Sequence, residues 1–321
     1  MATSSARRTL IACTDLSRNS LPALKQAAWL AATLDYAVQL VFVVDPLSVL
    51  DKGKRTTNQG EQLREWANTQ LKLLQEKIFT GITAEASLIE LNEQAWWSEL
   101  TKPFDNHAIA QAICEKAKHS QADVVVLGTH GHAGLSELVL GTVATRVMKL
   151  AHCDVLTVRP TESEQSDAPL DLEHLPTSPA PKKLQHILCP IDFSECSRLA
   201  LGRAVHLAQA SNATVHIMHS YRVPFWMGPG SNDMAHQLSD QVKQSMEEAA
   251  QHYANSGILF QCHVALGRPP MAIRTLAQEL NIDAIVMGTL GQTALNELLI
   301  GSVTERAVRM APCPVLAVRN R

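Results

Sequence analysis

Short runs of adjacent apolar residues alternate along this chain with longer stretches in which apolar positions recur every three or four residues. The runs have the length of buried strands, and the stretches have the period of amphipathic helices. In the first half, Thr9 to Asp15 reads as a short apolar strand ending in a carboxylate. Apolar positions at Leu21, Leu24, Ala27, Ala28 and Leu34 predict a helix, Gln39 to Val44 a buried strand, and Glu61 to Phe79 a longer helix. A strand over Ala86 to Leu91, a helix over Ile109 to Lys118, and strands at Val124 to Leu127 and Val155 to Val158 complete the set.

The second half repeats this order. His186 to Asp192 is again a strand ending in a carboxylate, followed by a helix over Leu199–Ala210 and a strand over Thr214–Met218. A helix over Leu238–Tyr253, a strand over Phe260–Ala265 and a helix over Met271–Glu279 come next, then strands at Ala284–Met287 and Val315–Val318. Strands separated by helices imply parallel sheets covered on both faces. The expected fold is therefore α/β, with two tandem domains that each hold a five-stranded parallel sheet flanked by helices. Right-handed crossovers then place ligands at the C-terminal strand ends, near the switch point of each sheet.

Between the halves, Pro160 to Lys183 carries Pro160, Pro169, Pro176, Pro179 and Pro181 among acidic and serine residues. That composition reads as a stiffened linker that does not pack. The expected boundaries are a first domain over 1–160, a linker over 161–183 and a second domain over 184–321. From strand-end Asp15 to Gly128 is 113 positions, against 96 from Asp192 to Gly288. The first half thus holds an insertion around Asn92 to Asn106 that includes Trp96 and Trp97, read as packing on its own domain or as a lid or partner contact.

One glycine pattern occurs twice. Gly128-Thr129-His130-Gly131, nine residues, then Gly141-Thr142 recurs as Gly288-Thr289-Leu290-Gly291, nine residues, then Gly301-Ser302. Each copy follows an apolar strand and leads into a helix. A glycine at a strand end lets a ligand approach the backbone without a Cβ in the way. A helix start offers unpaired N–H groups and partial positive charge, which suit phosphate oxygens. The alternative, glycines that only shape a tight strand-to-helix loop, stays open for a single copy.

Composition narrows the field. Hydrophobic residues make up 46% of the 321 residues, enough for packed cores. The net charge of −3, without a basic run, argues against nucleic acid as a partner. No apolar run is long enough to span a membrane. Seven cysteines without paired spacing, and no long apolar segment in Met1 to Arg8, make a reducing cytoplasm the expected compartment. No Walker lysine follows either glycine loop, and no serine–histidine–acid set is tied to one, so no catalytic residue is assigned. His130 and His132 read as solvated loop residues. Cys13 and Cys189 read as core thiols, and Cys153 and Cys313 as markers of equivalent turns. His216, His219, Cys262 and His263 fall on neighbouring strands, but side-chain alternation argues against four convergent metal ligands.

The G-x2-G-x9-G-[S/T] pattern, the strand-end aspartate and the closing Cys-x-Val-Leu strand together resemble the universal stress protein family, in its ATP-binding branch. The resemblance covers nearly the whole chain, twice, apart from the linker and the tryptophan insertion. It implies a Rossmann-like fold of the adenine nucleotide alpha hydrolase type. It also implies that Asp15 and Asp192 face the ribose side of a nucleotide, with Pro190 at the entry of the second site. Backbone at Val43 and at Ser220 would meet the adenine edge. Leu127, Gly128, Gly131, Gly141, Thr142 and Val143 would line the phosphate side of one site; Met287, Gly288, Gly291, Gly301, Ser302 and Val303 would line that of the other. The implied ligand is ATP, or AMP or ADP, with Mg2+ as an accompanying ion. The implied role is a stress-response binding and signalling module, with at most slow ATP hydrolysis; a nucleotide-independent interaction protein is the alternative. The last strands, Val155–Arg159 and Val315–Arg319, would pair to make the tandem an intramolecular pseudo-dimer, and a homodimer is a further form. Each site departs once from the family pattern: Leu290 stands where His130 stands in the first, and the first lacks the Pro-x-Asp entry of the second.

Overall fold

The structure is a computed structural model that describes residues 7–44, 57–91, 107–129, 140–161, 164–165, 170–172, 175, 183–221, 232–291 and 300–320, with backbone alone at 57–60 and 232–236. It divides into two compact units, Met1–Pro181 and Lys182–Arg321.

In unit 1 the chain runs β1 (Thr9–Cys13), α1 (Leu21–Leu34), β2 (Ala37–Val44), α2 (Thr57–Ile78), β3 (Ala84–Glu90) and α3 (His107–His119). It continues through β4 (Val124–Gly128), α4 (Thr142–Leu150) and β5 (Asp154–Val158). The strands lie in the order β3-β2-β1-β4-β5, each neighbour parallel. Because the chain builds outward from β1 to β3 and then restarts on the other side with β4, the switch point falls between β1 and β4. A crevice forms at the C-terminal ends there.

Unit 2 repeats the plan with β6 (His186–Pro190), α5 (Glu195–Ser211), β7 (Thr214–Tyr221), α6 (Asn232–Gln251) and β8 (Phe260–Leu266). Then follow α7 (Pro269–Glu279), β9 (Ala284–Gly288), α8 (Ser302–Met310) and β10 (Val315–Val318). Its order is β10-β9-β6-β7-β8, also parallel, with the switch point between β6 and β9.

The central strands are buried on both faces, which is why they read as unbroken apolar runs. Leu10, Ile11 and Leu40 fill the core of unit 1 against Leu71, Leu74 and Met148; Ile187, Leu188 and Ile217 do so in unit 2 with Leu201. Helix α1 ends at Asp35 and α5 at Asn212, both left-handed at φ 54°, a conformation these short polar side chains tolerate.

Differences from the sequence reading sit at element ends. Helix α5 starts four residues before Leu199 because Ser194 Oγ accepts the Ser197 N–H at 3.2 Å, a cap that apolar periodicity does not register. Strand β7 runs on through His219 and Ser220 to Tyr221, polar residues that close the strand where the sheet opens into a cavity. The inter-domain segment does pack at one point: Leu172 is buried, and its carbonyl takes a hydrogen bond from Lys77 Nζ on α2. The insertion with Trp96 and Trp97 lies outside the described residues. No described helix is long and apolar enough to cross a membrane.

Candidate functional site

Both units build the same turn after their first strand. Asp15 Oδ1 accepts the Ser17 N–H at 3.0 Å and its O–H at 2.6 Å; Asp192 Oδ1 accepts the same pair from Ser194 at 3.0 and 2.5 Å. The residue between, Leu16 or Phe193, is left-handed at φ 60° or 64°. That conformation costs a residue with a Cβ on the order of 1 kcal/mol or more, and both units keep it. The turn anchors each carboxylate at the C-terminal end of the first strand.

The glycine loops are pinned at their two ends in the same way. Thr129 donates its N–H to Val158 O at 2.9 Å, and Thr289 donates to Val318 O at 2.9 Å. The carbonyls of these threonines then accept the N–H of Gly141 (2.8 Å) and of Gly301 (2.7 Å). A Cβ on Gly141 would lie 2.9 Å from Thr129 O, and one on Gly301 3.1 Å from Thr289 O. Only glycine closes the loop this tightly. Its amide is used in that closure, and the helix that follows offers further donors to an anion.

Those helices begin without a side-chain cap. Gly141 and Gly301 are the N-caps of α4 and α8, and no side-chain oxygen occupies the position that serine or aspartate commonly fills. The helical ladder starts with Thr145 N–H on Gly141 O and Glu305 N–H on Gly301 O. The amides of the first turn, at Ser302, Val303 and Thr304 in unit 2, precede it and point out of the helix start. Thr304 Oγ1 donates to Gly288 O at 2.7 Å, locking the helix onto the end of β9.

In unit 2 these pieces enclose a cavity of about 320 Å³, within the ~300–1,000 Å³ common for small-molecule sites. Pro190 and Asp192 line it from the end of β6, and Ser220 from the end of β7. Met287, Gly288 and Gly291 come from β9 and its loop, and Gly301, Ser302 and Val303 from the start of α8. The walls are apolar on one side, through Met218, Ile273 and Met287. Among the described lining residues there is no lysine or arginine. A bound anion would therefore be met by backbone amides and the α8 dipole. Gly291 sits against the carboxylate, where a Cβ would fall 2.6 Å from Asp192 Oδ2. A Cβ on Gly288 would meet Cys196 at 2.9 to 3.1 Å. These glycines thus hold space for the α5 start and for the aspartate.

In unit 1, Leu127 and Gly128 end β4, Gly141, Thr142 and Val143 open α4, Asp15 lies two residues past β1 and Val43 is the last residue but one of β2. Gly131, with His130 and His132, lies outside the described residues. Sequence reasoning missed several lining groups of unit 2: His219, Ser197, Pro269, Ile273 and Thr304. Pro269 is the first residue of α7 and Ile273 lies one turn on, and nothing local to the sequence there aims the helix at the cavity.

His219 donates its Nδ1–H to Ile191 O at 2.7 Å, and its ring lies 5.0 Å from that of Phe193. The other histidines of the sequence cluster go elsewhere. His216 and His263 join His186, and Cys262 points to the opposite face of the sheet. Among the described residues no group of three or more histidine, cysteine, aspartate or glutamate side chains is arranged to hold a metal ion. Cys13 and Cys189 are buried, and burial raises both thiols far above the ordinary range; it pushes Cys313 up to about 12.

Comparison with known proteins gives the family. A model described as the universal stress protein family matches residues 6–159 and again 183–319. A universal stress protein of Methanocaldococcus jannaschii is 31% identical over 138 residues, covering 42% of this chain and 81% of that protein. One from Thermus aquaticus is 35% identical over 135 residues, covering 41% of this chain and 97% of that protein. A solved universal stress protein of Archaeoglobus fulgidus has the same fold, with a TM-score of 0.64 at 19% identity over 97% of this chain and 96% of that one. With two copies of the matching domain, one in each unit, the chain belongs to the universal stress protein family.

Proposed function

We propose that this protein binds an adenine nucleotide (ATP, ADP or AMP) in the cavity of unit 2 and at the corresponding strand ends of unit 1, and that it acts as a stress-response binding and signalling module. One observation carries the reading: the cavity gathers residues scattered over more than a hundred positions, from Pro190 to Thr304, around an uncapped helix start. In this reading Met218, Ile273 and Met287 take the base, with backbone at Ser220 against its edge. Asp192 meets the ribose hydroxyls, and the first-turn amides of α8 hold the phosphates. In unit 1, Asp15, Val43, Leu127, Gly128, Gly131, Gly141, Thr142 and Val143 take the same parts.

The groups present favour binding over turnover. Asp192 Oδ1 is held by Ser194 and His219 Nδ1 by Ile191 O, and no described lining residue is a lysine or arginine that would offset charge developing on a transferring phosphoryl group. None of the seven cysteines is in a disulfide, which supports a reducing compartment, and we place the protein in the cytoplasm.

Isothermal titration of the full chain with ATP, ADP, AMP and GTP, each with and without Mg2+, tests the reading. Saturable heat with the adenine nucleotides, weaker with GTP, is expected. No heat at millimolar nucleotide overturns it. The Mg2+ arms show whether a divalent ion accompanies the ligand.

A further inference from the structure

Away from the cavity, three imidazoles stand in a row across β6, β7 and β8. His186 Nδ1 lies 3.0 Å from His216 Nε2, and His216 Nδ1 lies 3.0 Å from His263 Nε2. Ring centroids are 5.2 Å apart at both steps. His216 is 2% exposed, and both its nitrogens are committed to other imidazoles. The register puts all three on one face: His216 pairs with Leu188 and with Gln261, so His186 and His263 stand two residues off on either side.

The proton count of such a row is limited. Three neutral imidazoles carry three N–H protons on six nitrogens. Two of these protons fill the two N···N contacts, and the third sits on an outward nitrogen of His186 or His263. A first added proton takes the remaining outward nitrogen; its charge spreads over the row and both contacts survive. A second added proton has only a contact left to enter, where it sets N–H against N–H. We propose that this row is a proton-sensing latch of unit 2, one that tolerates a single added proton and gives way at the second, opening the β6–β7–β8 ladder in acid.

The surroundings fit a row that resists charge. Burial first, then His263 and His186, hold His216 well below an ordinary imidazole, at about 4, and burial also lowers His263. Asp283 Oδ2 accepts the backbone N–H of Gln185 (2.7 Å) and of His186 (3.0 Å). The helices packed on these strands carry Glu195, Arg198, Arg203 and His206 on α5, Asp240, Lys243, Glu247 and Glu248 on α6, and Arg274 and Glu279 on α7. Of these, Lys243 and Glu247 act on Cys262, which faces away from the row. A group that stays neutral in the fold but takes a proton once unfolded gives stability that is complete above its unfolded pKa. For His216 that stability is present above about 6.5 and lost as the pH falls toward 4. Strand β7 carries the effect onward, since Met218 and Ser220, two and four residues past His216, line the cavity.

Unit 1 supplies an internal control. The same register positions there hold Thr9, Gln39 and Ser87, none of which titrates in this range, and Ser120 Oγ donates to Gln39 Oε1 at 2.7 Å. Hydrogen–deuterium exchange on the full chain, corrected for intrinsic rates, is followed from about pH 7.5 to about pH 4.5. Two excess protons on the unfolded row change the opening equilibrium by up to ~100-fold per pH unit. Protection of β7 and β8 is therefore expected to fall at least ~10-fold across this range, with β2 and β3 steady within ~2-fold. The variant His186→Thr/His216→Gln/His263→Ser, which installs the side chains of unit 1, should flatten the response. Parallel profiles in the two ladders, or an unchanged loss in the variant, overturn the proposal. If the variant fails to fold, imidazole 15N shifts of the unmodified chain decide. Stepwise titration with His216 last supports the latch; three independent titrations near the ordinary histidine value overturn it.

Discussion

The second strand of each sheet carries a polar side chain at the same register position, half-buried Gln39 in unit 1 and buried His216 in unit 2. The two units satisfy it by different chemistry. Gln39 takes a hydroxyl from Ser120 at the end of α3. At the end of α7, the place of Ser120 is held by Leu280, and His216 turns to the imidazoles on either side instead. The fold thus requires that a polar group at this position find a partner, but leaves the kind of partner open. One solution is indifferent to pH and the other is not. At the opposite end of the same strands the two units agree closely. The aspartate turn, the left-handed residue after it, the threonine–glycine closure and the glycine-capped helix are repeated bond for bond. Conformation is kept at the C-terminal strand ends, where the proposed site lies, and side chains diverge at the opposite ends of the same strands.

The sharpest way to break this comparison is at the glycines it treats as equivalent. Gly141→Val and Gly301→Val each push a side chain into a threonine carbonyl, and each is expected to weaken one nucleotide site by ~100-fold or more, an effect worth roughly 2.7 kcal/mol. Calorimetric stoichiometry should fall by one equivalent in either variant and to zero in the double variant. An unchanged stoichiometry would mean that the two loops do not hold ligand.

Acid should separate the units next. Because His216 is held at about 4 in the fold, the unfolding transition of unit 2 should move to lower temperature as the pH drops from about 6.5, and that of unit 1 should move less. Differential scanning calorimetry of the full chain at several pH values reads both. His216→Gln should remove the difference.

Smaller effects are expected at the aspartate turn. Ser17→Ala and Ser194→Ala each delete an O–H donor to a carboxylate, a charge-assisted bond worth about 1.5–3 kcal/mol. Ser194→Ala also removes the cap of α5, so its loss in denaturant titrations should exceed that of Ser17→Ala by about 1 kcal/mol if the turn has the same weight in both units. The least effect belongs to Thr304→Val, which removes the bond to Gly288 O at a cost of about 1 kcal/mol. Ala144 stands at this place in unit 1, so Ala144→Thr should return a comparable gain there if the two helix starts are alike.

Much of this architecture could be read before any coordinates. The apolar runs at Val124–Leu127 and Ala284–Met287 are buried strands because both faces are covered, and nothing else explains four adjacent apolar residues so directly. The spacing from Gly128 to Gly141 and from Gly288 to Gly301 marked both loops, since a carbonyl within 3.1 Å of a would-be Cβ leaves a visible trace as an obligatory glycine. Element starts were less legible. The cap of α5 by Ser194 and the extension of β7 to Tyr221 depend on single hydrogen bonds and on the cavity, neither of which changes hydrophobic periodicity.

The histidines show the limit most clearly. Alternation along the strands argues against convergence of His216, His219, Cys262 and His263, and it says nothing of His186. Parity alone separates Cys262 from His263, but only the stagger of three neighbouring strands brings His186 to His216. Periodicity and glycine spacing, which arise from forces acting within about one turn or one strand, determined the element order, the tandem plan and the two loops. The enclosure of the cavity by Ile273 and the joining of three imidazoles were decided by tertiary structure. Their partners lie tens of residues apart, and the register that unites them is set by the packing of the whole sheet.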